Sequence, residues 1–165
     1  MPYYDSIAEG YDELHGEEQR KKLKMISSLI DPEAGERLLD VGCGTGICTF
    51  WSCECVGIDP SYGLIKEANK KIKNKEKGKI TFIQAAAENI PFKDHHFDYV
   101  ISVTAIHLCQ NLDKALDEIK RVGKERFIFT VLKKSSIARQ IVNKIRSRFK
   151  VKKIIEEERD FMIII

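Results

Sequence analysis

Apolar residues along this chain fall into two rhythms. Short, nearly unbroken runs at 37–41, 54–59, 79–84, 99–103 and 126–132 have the length and β-branched content of strands buried on both faces. Longer stretches between them repeat their apolar positions every three or four residues, as a helix with one face on a core does. Leu23, Ile26, Leu29 and Ile30 predict a helix over 17–30 that stops before Pro32. Ser61 is placed to cap a helix running to about residue 74 on Leu64, Ile65, Ala68 and Ile72. Asn111 is placed to cap another on Leu112, Ala115, Leu116, Ile119 and Val122. A short helix over 45–51 and a basic one over 135–148 complete the set. Two strands, 149–155 and 160–165, close the chain around Glu156-Glu157-Glu158.

Strands alternating with helices, followed by two strands in succession, predict an α/β fold. The sheet is mostly parallel and Rossmann-like, doubly wound with helices on both faces, and carries an antiparallel edge. No repeat, low-complexity tract or linker divides the 165 residues, so one domain over 1–165 is expected, large enough for a substantial core.

The chemistry concentrates in Leu38-Leu39-Asp40-Val41-Gly42-Cys43-Gly44-Thr45-Gly46 and in Asp59, at the end of the next strand. A glycine-rich turn leaving a strand lets the backbone approach a ligand, and a carboxylate on the neighbouring strand can accept both hydroxyls of a ribose. Dinucleotide sites space their glycines G-x-G-x-x-G and seat a pyrophosphate. Here the spacing is G-x-G-x-G, and Asp40 stands ahead of the first glycine. An anion at that mouth repels pyrophosphate and suits the ammonium and sulfonium of S-adenosylmethionine (SAM).

The segments LLDVGCGTG, GIDPS and AENIPFKDHHFDYVIS resemble those of class I SAM-dependent methyltransferases, of the type that includes quinone-biosynthesis enzymes. The resemblance implies seven strands in the order 3-2-1-4-5-7-6 and a methyl transfer to some acceptor. It implies that residues 1–30, with Tyr4 and Tyr11, form a segment and helix covering the cofactor. Asp40 then meets the methionine ammonium, directly or through water. Gly42, Cys43, Gly44 and Gly46 form the loop, Asp59 and Pro60 hold the ribose side, Ala87 and Glu88 lie along the adenine, and Ser102 closes the strand edge. Three features depart from the family pattern. Ala86 stands where an adenine-binding Asp is usual, the interval from Gly46 to Asp59 is about one helical turn short, and the turn at 122–124 is trimmed.

Composition narrows the remaining choices. No apolar run approaches the roughly 18 residues that span a bilayer, so a cytoplasmic protein without a membrane partner is expected. The cysteines at 43, 48, 53, 55 and 109 lack paired C-x-x-C spacing; they read as small core residues, and no metal site is expected. The net charge of +3 conceals an asymmetry: residues 133–153 carry nine Lys or Arg and no acid, whereas residues 1–18 carry six acids and no Lys or Arg. His107, after the fourth predicted strand, is the candidate general base or acceptor contact. A small-molecule acceptor is the first expectation. The alternatives are an RNA or RNA-associated protein acceptor, drawn by the basic stretch, and a SAM-binding module that needs a partner to act.

Overall fold

A computed structural model describes residues 2–72 and 79–165. Helix α1 (Pro2–Ile7) leads through a 3-10 turn into α2 (Tyr11–Ser27). Strands β1 (Arg37–Val41) and β2 (Glu54–Asp59) follow, then α3 (Tyr62–Lys70) and β3 (Ile80–Gln84). Next come β4 (Phe97–Val103), α4 (Leu112–Val122), β5 (Gly123–Leu132) and α5 (Ala138–Arg148). The chain closes with β6 (Lys153–Glu156) and β7 (Asp160–Ile164).

The seven strands form one sheet in the order β3-β2-β1-β4-β5-β7-β6. The first five run parallel, and β7 pairs antiparallel with both β5 and β6. Alternation along each strand divides the core. Leu39, Val56, Val100 and Phe129 pack on one face with Leu116 and Ile119 of α4 and Ile141 and Ile145 of α5. Leu38, Cys55, Ile101 and Ile128 pack on the other with Ile26 of α2 and Ile65 and Ala68 of α3. Both caps form as expected: Ser61 Oγ accepts from the Leu64 amide, and Asn111 Oδ1 from the Lys114 amide. The predicted end of α3 near residue 74 lies outside the described residues.

Two boundaries differ instructively. Helix α2 starts at Tyr11 rather than 17 and ends at Ser27; its first two turns bury Gly16 in place of an apolar stripe, so no apolar period marks them. The helix expected over 45–51 is absent; the chain makes successive turns, with the Gly46 amide donating to Cys43 O and the Thr49 amide to Gly46 O. Local conformation explains it: Gly46 stands at φ +77°, outside any right-handed helix, and Ile47, Cys48, Thr49, Phe50 and Trp51 are weak helix formers. Trp51 ties this link down by donating its indole N–H to Cys48 O at 2.8 Å. Cys43, Cys48, Cys53 and Cys55 are buried among the residues of the α2/α3 face. Among the described residues no helix is long and apolar enough to cross a membrane.

Candidate active site

The carboxyl ends of β1, β2 and β4 meet at the point where strand order reverses, and the glycine loop leaves from there. The amides of Gly42 and Cys43 both donate to Ile58 O, at 2.8 and 3.0 Å, which hooks the loop onto β2. Gly44 N–H then donates to Asp59 Oδ2 at 3.0 Å, and Ser61 N–H donates to Asp59 Oδ1 at 2.9 Å. One carboxylate thus joins the loop to the start of α3. Burial pushes the Asp59 carboxyl above the usual range, opposed by these two donors.

The glycines answer to the protein's own packing. Gly42 has φ +76° and would drive a Cβ to within 2.2 Å of Ala105 Cβ; Gly46 has φ +77° and would meet the Phe82 ring at 2.4 Å. Any side chain at either position would force the loop off β2. The ring of Tyr11 lies over Gly44, 3.5 Å from where a Cβ would stand.

Above the loop lies a cavity of about 150 Å³. Of the residues expected at the cofactor, it gathers Tyr11, Gly42, Gly44, Asp59, Pro60, Ala87, Glu88 and Ser102, and Ala86 joins them. Ser102 Oγ donates to Val41 O at 3.0 Å, and Glu88 Oε1 accepts from the Asn111 amide at 3.0 Å. Asp59 and Glu88 are carboxylates, and among the described residues the lining holds no Lys, Arg or His.

Asp40, Cys43 and Gly46 do not line this cavity. Gly46 is consumed by its contact with Phe82. Asp40 and Cys43 border a separate void of about 20 Å³ behind Gly42, room for one water. Asp40 is 1 % exposed; its Oδ2 accepts from Thr49 Oγ1 at 2.7 Å, and its Oδ1 has no partner. Burial pushes its carboxyl up to about 7, against the pull of the Thr49 hydroxyl. A buried carboxyl with one open oxygen, beside a cavity whose charged lining among the described residues is Asp59 and Glu88, fits a cationic ligand and opposes a pyrophosphate.

The N-terminal segment is pinned over this site by two acids. Asp5 Oδ1 accepts from Ser61 Oγ at 2.7 Å and from the Gly63 amide at 2.9 Å. Asp12 accepts from Thr45 Oγ1 and pairs with Lys71, whose ammonium also reaches Thr45 O at 2.9 Å. Read from the sequence, the acids of 1–18 are half of a charge asymmetry; in the fold, these two are latches. Their partners lie 33 to 59 positions away, so no local pattern reveals them. The basic stretch is likewise partly paired: Lys144 and Arg148 bind Asp113, and Arg148 also binds Asp117.

A second cavity, about 550 Å³, adjoins the first across Tyr4, Tyr11 and Thr104. His107 lines this one and not the first. Its walls include Glu18 of α2, Lys133 beyond β5 and Arg159 before β7. Beneath it Lys22, 6 % exposed, places its ammonium on Glu18 Oε1 (2.7 Å), Thr104 Oγ1 (2.6 Å) and Asp160 Oδ2 (2.9 Å), so each of its three protons has an acceptor. Thr104 has φ +56°, a conformation that costs a β-branched residue about 1–3 kcal/mol. Its amide is held there by Thr130 Oγ1 at 2.8 Å and Thr130 O at 3.2 Å. The sequence reading missed Lys22, Thr104 and Asp160; Lys22 lies 82 positions from Thr104, and nothing local joins them.

The fold and the anionic cavity at the switch point define a nucleotide-cofactor enzyme of the Rossmann-like class. Comparison with known proteins narrows this. A family model described as a methyltransferase domain matches residues 39–130. An uncharacterized protein of Methanocaldococcus jannaschii is 37% identical over 154 residues, covering 90% of this chain and 57% of that protein. A probable S-adenosylmethionine-dependent methyltransferase of Saccharomyces cerevisiae is 30% identical over 132 residues, covering 74% of this chain and 45% of that one. The crystal structure of a SAM-dependent methyltransferase from Aquifex aeolicus superposes with a TM-score of 0.73 at 17% identity, covering 86% of this chain and 87% of that one. The chain belongs to the class I SAM-dependent methyltransferases, whose cofactor is S-adenosylmethionine. It spans about half the length of the curated relatives it matches.

Proposed function

We propose that this protein binds S-adenosylmethionine in the cavity above the glycine loop and transfers its methyl group to a small molecule in the adjoining cavity. The observation that carries this reading is the charge of the first cavity: among the described residues Asp59 and Glu88 line it and no Lys, Arg or His does, while the buried Asp40 behind Gly42 keeps one carboxyl oxygen without a partner. When bound, the cofactor supplies a methyl group on a sulfonium, and the sulfur keeps the electron pair of the bond that breaks. The chain's own residues position the reactants. Asp59 accepts from the ribose with Pro60 beside it, Ala87 and Glu88 lie along the adenine, and Ser102 closes the floor. Tyr11 covers the loop at Gly44. Asp40 meets the methionine ammonium through the one-water void rather than directly.

The test is calorimetric titration with SAM, S-adenosylhomocysteine and NAD. Micromolar binding of the two adenosyl ligands with none of NAD is the expected result. Binding of NAD, or of neither adenosyl ligand, would overturn the reading.

A further inference from the structure

We propose that the outer flank of α5 and the edge strand β6 dock double-stranded RNA through its phosphates and 2′-hydroxyls. Such docking needs neither the cofactor nor a particular acceptor, so it stands apart from the methyl-transfer reading.

The fold sorts the nine cations of residues 133–153 into two sets. Lys133 pairs with Glu156, Lys144 with Asp113, and Arg148 with Asp113 and Asp117. Lys134, Arg139, Arg146, Lys150, Lys152 and Lys153 are exposed and have no acid partner among the described residues. The division follows the helix. Ala138, Ile141 and Ile145 seat α5 on the sheet, while Lys144 and Arg148 reach sideways to α4. Two residues turn a helix by about 200°, so Arg146 stands on the flank away from α4. Arg139 and Asn143 share that stripe at helical spacing. Beyond α5, Lys150, Lys152 and Lys153 lead into β6, the outermost strand on that side. At the other end Lys134 joins the rim of the second cavity, where the acids of the β6–β7 turn, Glu156, Glu157 and Glu158, bound the basic face.

Like charges without counter-charges repel one another, and a polyanion relieves that repulsion while releasing its own counterions. Three properties of the face select the polyanion. First, α5 turns its apolar side into the core, and the large hydrophobic exposed along 133–153 is Ile137, at 37 %. An apolar face to insert into a bilayer is therefore lacking. Second, Phe149, the one aromatic of the stretch, is 7 % exposed, so unpaired bases find no ring to stack on. A duplex, whose bases are already stacked, loses nothing by that. Third, Gln140 and Asn143 are exposed among the cations and offer amide donors and acceptors. A-form RNA displays 2′-hydroxyls in a wide, shallow minor groove beside its phosphates, and cations interleaved with short amides engage both. A DNA duplex or an acidic protein supplies the charge without the hydroxyls.

The experiment is fluorescence anisotropy with a labelled RNA duplex of about 16 base pairs, at about 50 to 200 mM salt. The DNA duplex of the same sequence, single-stranded RNA, polyglutamate and phosphatidylserine vesicles serve as competitors. The RNA duplex is expected to bind most tightly. Its log affinity should fall against log salt with a slope of about −3.5 to −5.5, as about four to six phosphate contacts require. Arg146→Glu combined with Lys150→Glu should weaken binding at least about tenfold. Lys24→Glu combined with Lys66→Glu, on α2 and α3, changes the net charge equally and should weaken it less than about threefold. Asn143→Ala should narrow the gap between RNA and DNA. All five positions are exposed, so each variant should fold and keep its calorimetric SAM affinity. Equal competition by DNA or polyglutamate, stronger competition by vesicles or single strands, a flat salt dependence, or the same loss in both double variants would overturn the inference. Failure of RNA binding leaves the cofactor site standing, and failure of SAM binding leaves the RNA face standing.

Discussion

The two cavities share a wall of Tyr4, Tyr11 and Thr104 but are built on opposite principles. The cavity above the glycine loop is small, its charged lining among the described residues is Asp59 and Glu88, and it is tied together through backbone: Gly44 and Ser61 to Asp59, and Gly42 to Ile58. The second cavity is larger and carries both signs, held by side chains from α2, the end of β5 and the start of β7. A site fixed by backbone admits few substitutions and recognises a ligand of constant structure. A site walled by long side chains can be altered without disturbing the sheet. The contrast matches a family that keeps one cofactor and varies its acceptors.

The largest expected effect lies beneath the acceptor cavity. Lys22→Met leaves Asp160 buried without its cation, which should cost about 3–5 kcal/mol of stability, measured as a lowered denaturant midpoint with unchanged slope. Retained stability would show that the ion pair is dispensable to the floor. Next comes Asp40. Its folded value of about 7 stands above the ordinary 3.8, so the folded state binds more protons than the unfolded between these limits. Stability must then fall as pH rises from about 4 to 7, by up to about 1.4 kcal/mol per unit. Asp40→Asn should flatten that slope and raise the melting temperature at pH 8 while weakening SAM, trading binding for stability.

Asp59→Ala should weaken SAM at least tenfold, about 1.4 kcal/mol, read by calorimetry; unchanged affinity would remove Asp59 from the ribose side. Smallest is Arg159→Ala on the acceptor rim. Its bridge to Glu18 at 3.2 Å is exposed, so stability should move by less than about 1 kcal/mol and SAM affinity not at all. A loss of SAM affinity there would erase the distinction between the two cavities.

What the sequence showed divides along the same line. The strands at 37–41 and 54–59, the Ser61 and Asn111 caps, and the pairing of the glycine loop with Asp59 were legible, because each is written in a local pattern of burial, capping or turn chemistry. The link over 45–51 misread as helix because its position between two parallel strands outweighed its own weak helix formers and the left-handed Gly46. The placement of Gly46 against Phe82 and of Asp40 on the one-water void behind Gly42 was not legible, because a motif gives residue identity but not what the fold packs against each residue. The association of Lys22, Thr104 and Asp160 left no trace, since it joins α2, the residue after β4 and the start of β7 and belongs to the fold alone.

The shortened link between β1 and β2 also bears on the order in which the sheet assembles. Asp40 pairs with Gly57, 17 positions along, and with Ile101, 61 positions along. Closing the shorter loop costs less chain entropy, and pairings of low sequence separation form sooner. In a pulse-labelled refolding experiment, amide protons of β2 should gain protection before those of β4, making the strand pair that carries the glycine loop and Asp59 the nucleus on which the rest of the sheet grows.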